Sequence, residues 1–470
     1  MFANVEYGDK EVRLSSEGRD IFVTSDLHIA AGLGPDGRFA GTENFFADDA
    51  YVRFLNYASA TGNNPILIIN GDFIDFLRIK EIPESDDDFL QWQSGLARVG
   101  IVKSLDELRG SIVQKERTFG LRTNDYKSIW RLILASRGHA PLFAALARWI
   151  EEGHPLIITK GNHDLEWYHP KVRDYLCVLF RELRPTANTS DLVLFVDNSL
   201  VIDGIFYIEH GHCYDKYATV IGPPLLKETG ELNIPFGSFF NRYLLNRIEL
   251  VYPYLDNIKP RENLLPLLIK EHFPLALKVL FYHVPFLIRV IPKRYYRYMF
   301  TDFLVYVLAL GLPFLGVAYI IYQSVSGMIT TPNPAKMSWI ATQLVDFSKS
   351  IGMLVASYLL ARIVAIFKLT EPSSLEEFAR KKFVERPELR IITMGHTHCA
   401  DQNRSTEQQF FNTGTWIPVI ETSSGNVSPD RTFTYLHLRN QNGALEAESL
   451  LRWNDDALRP DPLTIIGNKE

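Results

Sequence analysis

The segment IITMGHTHC, Ile391–Cys399, joins an apolar run to two histidines separated by one residue. The apolar run predicts a buried β-strand. Alternate side chains of a strand point to the same face, so His396 and His398 can converge on one point beyond the strand end. Convergent imidazoles suggest a metal site, but an H-x-H pair also occurs in ordinary polar turns. The rest of the chain decides between these two interpretations.

Three apolar runs in the first half of the chain also end in polar residues. They are IFVTSD (21–26), PILIINGD (65–72) and PLIITKGNHD (155–164). Runs of this kind are typical of buried strands that carry functional groups at their carboxyl ends. The segment ENFFADDAYVRFLNYASA, 43–60, has the spacing of a helix between two of them. This alternation predicts an α/β fold.

Five polar clusters follow strand-like runs. They are Asp26-Leu-His28, Gly71-Asp72-Phe-Ile-Asp75, Gly161-Asn162-His163-Asp164, His210-Gly-His212 and Gly395-His396-Thr-His398. Carboxylate, imidazole and amide oxygen suit divalent manganese, iron or zinc, whereas the absence of thiolate disfavours a structural zinc site. The set is large enough for two ions, and a shared carboxylate can bridge ions about 3.5–4 Å apart. Each cluster alone is also compatible with a turn or a helix cap.

Composition narrows the class of protein. The chain has 470 residues of which 46% are apolar, which excludes general disorder. A net charge of -6 gives no overall case for nucleic acid, and no nucleic-acid partner is expected. Cys177, Cys213 and Cys399 are too few and too scattered for a disulfide framework, which fits a reducing compartment. Residues 1–20 lack the apolar core of a signal peptide.

Taken in order, the five clusters resemble the calcineurin-like metallophosphoesterase superfamily. Its pattern is D-x-H, G-D-x-x-D, G-N-H-D, a later G-H or H-G, and G-H-x-H. The segment Asn412-Thr-Gly-Thr-Trp416 is similar to the closing N-x-G-x-W of that family. The resemblance covers 1–215 and 386–455 and leaves 216–385 unexplained, with 456–470 as a C-terminal tail. It implies an α/β fold of the four-layer αββα type, a dimetal centre and hydrolysis of phosphoesters.

The resemblance also implies a role for each residue. The expected ligands of one ion are Asp26, His28, Asp72 and His398, and those of the second are Asp72, Asn162, His210 and His396. Asp72 would bridge the ions, most suitably Mn²⁺ with Fe or Zn as alternatives, and a hydroxide shared by them would attack phosphorus. The expected catalytic residues are His163 and Asp164, which would orient the His163 ring. Asp75 is expected to contact the metal ligands without binding an ion itself. His212 lies on the same strand face as His210 and remains an alternative ligand.

The segment 216–385 is predicted to be a helical insertion with a transmembrane hairpin. Residues 303–335 contain no charged residue, and 303–322 provides about the 20 apolar residues needed to cross a bilayer. The second candidate, 351–367, contains Arg362, which can reach the headgroups from near a helix end. Basic residues flank both candidates on the side of the catalytic part, so the positive-inside rule places that part in the cytoplasm. Buried core helices are the alternative for both.

The stretch before the hairpin, 264–300, is rich in Leu, Phe and Tyr. It is predicted to lie at the membrane surface, with Tyr295, Tyr296 and Tyr298 in the aromatic belt. The alternative is a soluble helical cap on the core.

A helical lid occupies the same interval in UDP-2,3-diacylglucosamine hydrolases, to which the chain is distantly similar. The insert is much longer here, and G-N-H-D replaces their G-N-R-D, so their substrate is not transferred. We expect a membrane-associated phosphoester hydrolase at the inner or cytoplasmic membrane, acting on a phosphorylated or pyrophosphorylated lipid. Two alternatives remain: an anchored enzyme for a soluble nucleotide or phosphoprotein, and a non-catalytic scaffold.

Overall fold

The computed structural model describes part of the chain, namely residues 11–251, 258–259, 264–283, 286, 289–293, 295, 322, 348, 351–352, 375–405, 407–421 and 431–463. The chain divides into two compact units, Met1–Val284 with Pro372–Glu470, and Pro285–Glu371. All candidate site residues lie in the first unit. Apart from Tyr322, Ile351 and Gly352, both candidate spans fall outside the described residues. No helix within the described ranges is long and apolar enough to cross a bilayer.

Within the described residues, the strands form two large sheets and one small one. In chain order they are β1 (Val12–Leu14), β2 (Ile21–Thr24), β3 (Ile66–Asn70), β4 (Leu156–Thr159), β5 (Val193–Val196), β6 (Ser199–Ile202), β7 (Phe206–Glu209), β8 (Ile258–Lys259), β9 (Ile391–Met394), β10 (Asp401–Arg404), β11 (Gln409–Asn412), β12 (Ile420–Glu421), β13 (Thr434–Gln441), β14 (Ala444–Asn454) and β15 (Arg459–Pro462). The seven-stranded sheet has the order β15-β14-β13-β2-β3-β4-β5, and the six-stranded sheet has the order β1-β6-β7-β9-β11-β10. Strands β8 and β12 pair with each other.

Helices connect and cover these sheets. They are α1 (Asp48–Thr61), α2 (Asp86–Arg98), α3 (Leu105–Gly110), α4 (Gln114–Phe119), α5 (Asp125–Gly138), α6 (Ala140–Glu151), α7 (Pro170–Leu183), α8 (Thr189–Leu192), α9 (Phe236–Phe240), α10 (Asn246–Glu249), α11 (Leu264–Glu271), α12 (Phe273–Lys278) and α13 (Glu376–Glu385). Short 3-10 helices cover Leu165–Tyr168 and His212–Tyr214, and π-helical turns cover Asn241–Leu245 and Val279–His283.

The apolar side chains of β3 alternate between two buried clusters. Ile68 of β3 and Ile208 of β7 belong to one cluster, which therefore lies between the two large sheets. Leu67, the neighbour of Ile68 in β3, belongs to a second cluster with Phe54 of α1 and Leu146 of α6. Burial of each such side chain contributes about 1.5–3 kcal/mol to folding, so the alternation fixes which face of the strand is turned to the helices.

The outer face of the six-stranded sheet is covered by α13. Ile392 and Met394 of β9 are buried with Ala379 and Phe383 of this helix. The protein is therefore a mixed α/β structure with two packed sheets and helices on the outside, and the predicted α/β class is confirmed at this level.

Parallel strands bring the five polar clusters to one edge of the sandwich. Strands β2, β3 and β4 are neighbours and parallel, as are β7 and β9 in the other sheet. The strands predicted within 21–26, 65–72, 155–164 and 391–399 are all present, and each polar cluster begins within two residues of a strand end. The predicted helix within 43–60 is α1. Within the expected tail, Arg459–Pro462 pairs with β14 as an edge strand.

Candidate metal centre

Five candidate ligands have a left-handed backbone. Their φ angles are 53° at Asp26, 48° at His28, 51° at Asp72, 71° at His396 and 56° at His398. A residue with a side chain in this region costs about 1–3 kcal/mol, and such residues cluster at functional sites. The strain is held by the sheets, which fix the strands on which these turns are built.

The first group of converging side chains is Asp26, His28 and His398. The two Nε2 atoms of His28 and His398 lie 2.9 Å apart. The Oδ1 atom of Asp26 lies 3.8 Å from Nε2 of His28 and 3.4 Å from Nε2 of His398. Two nitrogens that bind one ion at about 2.1 Å and at a right angle are about 3 Å apart. The separation of the two imidazoles therefore fits shared coordination of a cation.

The second group is Asp72, His210 and His396. Nε2 of His210 lies 3.1 Å from Oδ2 of Asp72, while Nδ1 of His210 donates to the Asn70 carbonyl at 2.8 Å. That hydrogen bond places the proton on Nδ1 and leaves Nε2 as the nitrogen for an ion. Oδ2 of Asp72 is also 3.6 Å from Nε2 of His28. Asp72 thus lies between the two groups.

Asn162 supplies an independent test of whether an ion fits. Its Oδ1 atom is buried and has no hydrogen-bond partner. A buried polar atom left in this state costs about 1–3 kcal/mol. Coordination of a cation satisfies an amide oxygen without any other donor. The residues present therefore fit a divalent ion at this place.

The segment Asn412–Trp416 braces the first group from behind. The Thr415 hydroxyl donates to the backbone carbonyl of Asp26 at 2.7 Å, and the Asn412 amide donates to the carbonyl of Gly395 at 2.9 Å. The backbone N–H of His396 donates to both carboxylate oxygens of Asp26, at 3.2 and 3.1 Å. These bonds hold the turns that follow β2 and β9 against each other.

Glycines in the motifs make room for the ligands. A Cβ atom at Gly161 would lie 2.0 Å from Oδ1 of Asp72, and one at Gly395 would lie 2.5 Å from Oδ2 of Asp26. Both positions exclude every larger residue because the carboxylates already occupy the space.

His163 is held by Asp75, which corrects the predicted role of Asp164. Nδ1 of His163 donates to Oδ2 of Asp75 at 2.8 Å. Asp164 instead accepts from the backbone N–H of Gly161 at 2.6 Å and of Phe73 at 2.9 Å. Trp167 Nε1 completes this set at 3.0 Å. Asp164 therefore fixes the turns after β3 and β4, because its oxygens are already taken by donors of the backbone and of an indole.

The two histidines after β7 have different surroundings. His210 belongs to the second group of converging side chains, whereas His212 belongs to none of the groups found in the described ranges. The His212 ring centroid lies 5.5 Å from that of His210, and its Nδ1 is buried without a hydrogen-bond partner. The structure thus places His210 in direct contact with Asp72 and His212 beside it.

Asp215 contacts the site but was not singled out in the sequence. Its Oδ2 atom lies 3.3 Å from Nε2 of His396, which leaves Nδ1 of that ring for an ion. Asp215 follows the H-G-H block after two residues, but nothing in its spacing marks it as a partner of His396.

Opposite charges compensate one another inside the site. Burial by itself would raise the pKa of Asp26, but the surrounding histidines, His210 first, hold it well below its usual range. Burial would lower the pKa of His28, but hydrogen bonds to Asp26 and Asp75 raise it to about 10. Burial would also lower the pKa of His210, but the Asp72 carboxylate raises it to about 9. Protons and a divalent cation therefore compete for the same ring nitrogens and carboxylates.

Comparison of the chain with protein-family models gives no match, and comparison with curated proteins gives none either.

Proposed function

We propose that this protein is a dimetal-dependent phosphoester hydrolase, with the four-layer αββα sandwich of the calcineurin-like metallophosphoesterases. The observation that carries the proposal is the position of Asp72. Its Oδ2 atom is 3.1 Å from Nε2 of His210 and 3.6 Å from Nε2 of His28, so one carboxylate serves two groups of ligands. Sites that share a carboxylate between two divalent ions are suited to displacement at phosphorus.

Each ion has a set of residues to hold it. The first set is Asp26, His28, Asp72 and His398, and the second is Asp72, Asn162, His210 and His396. Nitrogen and oxygen donors without thiolate favour Mn²⁺, with Fe or Zn as alternatives. When bound, two such ions supply an activated water near neutral pH and offset the charge of a phosphate.

His163 is the residue that can move a proton. Its Nδ1–H is fixed by Asp75, so Nε2 is the nitrogen available to a substrate. Burial would lower the pKa of His163, but the nearby carboxylates, Asp75 first, raise it. Its side chain is 14% exposed, whereas those of His28 and His210 are 4% and 0% exposed. A protonated, partly accessible imidazole is suited to protonating the leaving oxygen.

The proposed substrate is a phosphorylated or pyrophosphorylated lipid at the cytoplasmic surface of a membrane. The candidate spans in the sequence suggest this, and the segment 264–283 supports it. Exposed apolar side chains recur along that segment: Ile269 at 43%, Phe273 at 55%, Leu277 at 38% and Phe281 at 77%. Leu268, Leu275 and Ala276 are buried instead. Lys270, Glu271 and Lys278 are exposed as well. Apolar side chains exposed among charged ones, next to buried ones, fit a segment that lies in the headgroup layer.

The test is mass spectrometry of a bacterial lipid extract in nanodiscs that contain the full-length protein and Mn²⁺. The matched control is Asp72→Ala, which removes the shared ligand. We expect one phospholipid or lipid pyrophosphate to disappear with the unsubstituted protein only. If bis(p-nitrophenyl) phosphate is hydrolysed while every lipid persists, the enzyme is an anchored hydrolase for soluble substrates. If neither probe changes and the purified protein binds no metal, the hydrolase proposal is wrong and a scaffold is favoured.

A further inference from the structure

A short helical segment of the insert, Phe236–Glu249, contacts the metal centre and its surroundings at three points. It comprises α9, the π-helical turn Asn241–Leu245 and α10. The Ser238 hydroxyl donates to the backbone carbonyl of Asn162 at 3.1 Å. The Asn246 amide donates to the carbonyl of Leu77 at 2.8 Å. Glu249 makes the third contact, which is with Arg78. Arg78 contacts Asp75, and Asp75 holds His163, the proposed proton donor. π-Helical turns within α-helices are frequent at functional sites.

The third contact is a chain of buried charges. Both carboxylate oxygens of Glu249 accept from Arg78, at 2.6 Å from Nη1 and 3.3 Å from Nη2. Nε of Arg78 lies 3.2 Å from Oδ2 of Asp75, which is the same oxygen that accepts from His163 at 2.8 Å. The side chains of Arg78, Glu249 and Asp75 are only 3%, 2% and 2% exposed. Solvent therefore screens these interactions little.

Glu249 decides how the Arg78 guanidinium divides its donors. A guanidinium has five N–H groups in a planar fork that favours two parallel bonds to one carboxylate. Both Nη groups donate to Glu249, Nη1 also donates to the Thr42 carbonyl at 3.3 Å, and Nε donates to Asp75. Without the Glu249 carboxylate, the guanidinium can rotate so that an Nη group joins Nε at the Asp75 carboxylate. Arg78 would then compete more strongly with His163 for Oδ2 of Asp75.

We propose that Glu249 is a positioning residue for the reaction. It holds the Nη groups of Arg78 away from Asp75 and leaves only Nε in contact with it, so that Asp75 keeps the His163 ring aimed at the leaving oxygen. The insert between the two parts of the core thereby takes part in the site. This inference rests on the proposed hydrolase function and adds a residue of the insert to it.

The experiment compares Glu249→Gln with Glu231→Gln in the full-length protein loaded with Mn²⁺. Glu231 also lies in the insert, and it pairs with Arg122 at a more exposed site, 3.3 Å from its Nη1. The probes are p-nitrophenyl and phenyl phosphate mono- and diesters. Phenol is the more basic leaving group and depends more on a proton donor. We expect Glu249→Gln to lower kcat for the phenyl esters about 10- to 100-fold with little change in KM, and to lower kcat less for the p-nitrophenyl esters. Glu231→Gln should change neither kcat nor KM for either class of ester.

A double-substitution cycle and a structure separate positioning from general damage. In a His163→Ala background, Glu249→Gln should lower kcat by less than about twofold further, because both changes remove the same function. The crystal structure of Glu249→Gln should show His163 Nδ1 beyond hydrogen-bond distance from Asp75. Glu249→Asp keeps the charge on a shorter side chain and should lose less kcat than Glu249→Gln. If Glu249→Gln does not fold, Glu249→Asp is the test variant, and its smaller loss should still be greater for the phenyl than for the p-nitrophenyl esters.

Equal losses for both leaving groups, or additive losses with His163→Ala, would overturn the role of Glu249. The same holds if Glu249→Gln retains the activity and leaving-group dependence of the unsubstituted protein. Absence of metal and of hydrolysis in the unsubstituted protein would instead reject the proposed function itself.

Discussion

Nε2 of His28 and Nε2 of His398 lie 2.9 Å apart, although the two histidines follow strands of different sheets. A cation between them would tie the carboxyl ends of both sheets together. Because such an ion binds the folded chain and not the unfolded one, it stabilises the fold by about 2.7 kcal/mol at a free concentration of one hundred times Kd. We expect chelation to lower the melting temperature and Mn²⁺ to restore it. The measurement is thermal unfolding with and without Mn²⁺.

His398→Ala should retain about one ion per chain, since it removes a ligand of one group only. Asp72→Ala should retain neither, because Asp72 belongs to the proposed ligand sets of both ions. The control is His154→Ala, whose ring contacts the Ser59 hydroxyl at 3.1 Å and belongs to neither group. Elemental analysis of the purified proteins gives the stoichiometry. Equal metal content in all of them would contradict the ligand assignment.

Gly161→Ala should abolish metal binding and lower activity at least about 100-fold. The new methyl group would lie 2.0 Å from Oδ1 of Asp72, so the shared carboxylate must move. A displacement of about 1 Å at a catalytic site lowers the rate about 100-fold.

The control for that substitution is Gly110→Ala at the end of α3, where a Cβ meets nothing within 4 Å. Alanine is the better helix former by about 1 kcal/mol, so this variant should bind metal normally and be at least as stable. Activity and metal content are measured on both variants. Normal metal content in Gly161→Ala would mean that Asp72 is not confined as described.

The sequence predicted the strands and the five clusters because apolar runs and their polar ends are local signals. It could not show the left-handed backbone at Asp26 or Asp72, because that conformation depends on the turns being braced by another sheet. The partner of His163 was also predicted wrongly. Asp164 is its neighbour in the chain, but Asp75 reaches the ring from the turn after β3. Such partners are set by packing of distant segments, and the sequence spacing carries no signal for them.

His139 should make stability depend on pH away from the metal centre. Its ring is buried between Asp48, 3.0 Å from Nδ1, and Glu43, 3.2 Å from Nε2. Burial opposes its protonation, but these carboxylates, Asp48 first, raise its pKa from 6.5 to about 9. A pKa raised by folding stabilises the protein fully below the unfolded value, and that stabilisation is lost as pH rises towards 9. The loss between these limits is on the order of 3 kcal/mol.

Urea unfolding of the unsubstituted protein and of His139→Gln at pH 6.5 and 9 measures this effect. Glutamine can donate to one of the carboxylates but does not titrate, so the decline in stability with pH should be smaller in the variant. Titrating groups away from the His139 ring are common to both proteins and cancel in the difference. An identical decline in both would show that His139 does not carry this dependence.

Phe281 should lie at the depth of the lipid acyl chains if segment 264–283 rests on the membrane. Its side chain is 77% exposed, and burial of such a side chain in the interface is favourable by about 1.5–3 kcal/mol. In nanodiscs with brominated lipids, Phe281→Trp should show tryptophan quenching beyond that of the unsubstituted protein. Val384→Trp is the control, since Val384 is 83% exposed on α13 and outside this segment. If neither tryptophan is quenched, segment 264–283 lies in water and no longer supports a lipid substrate. If both are quenched equally, the membrane contact is not specific to this segment.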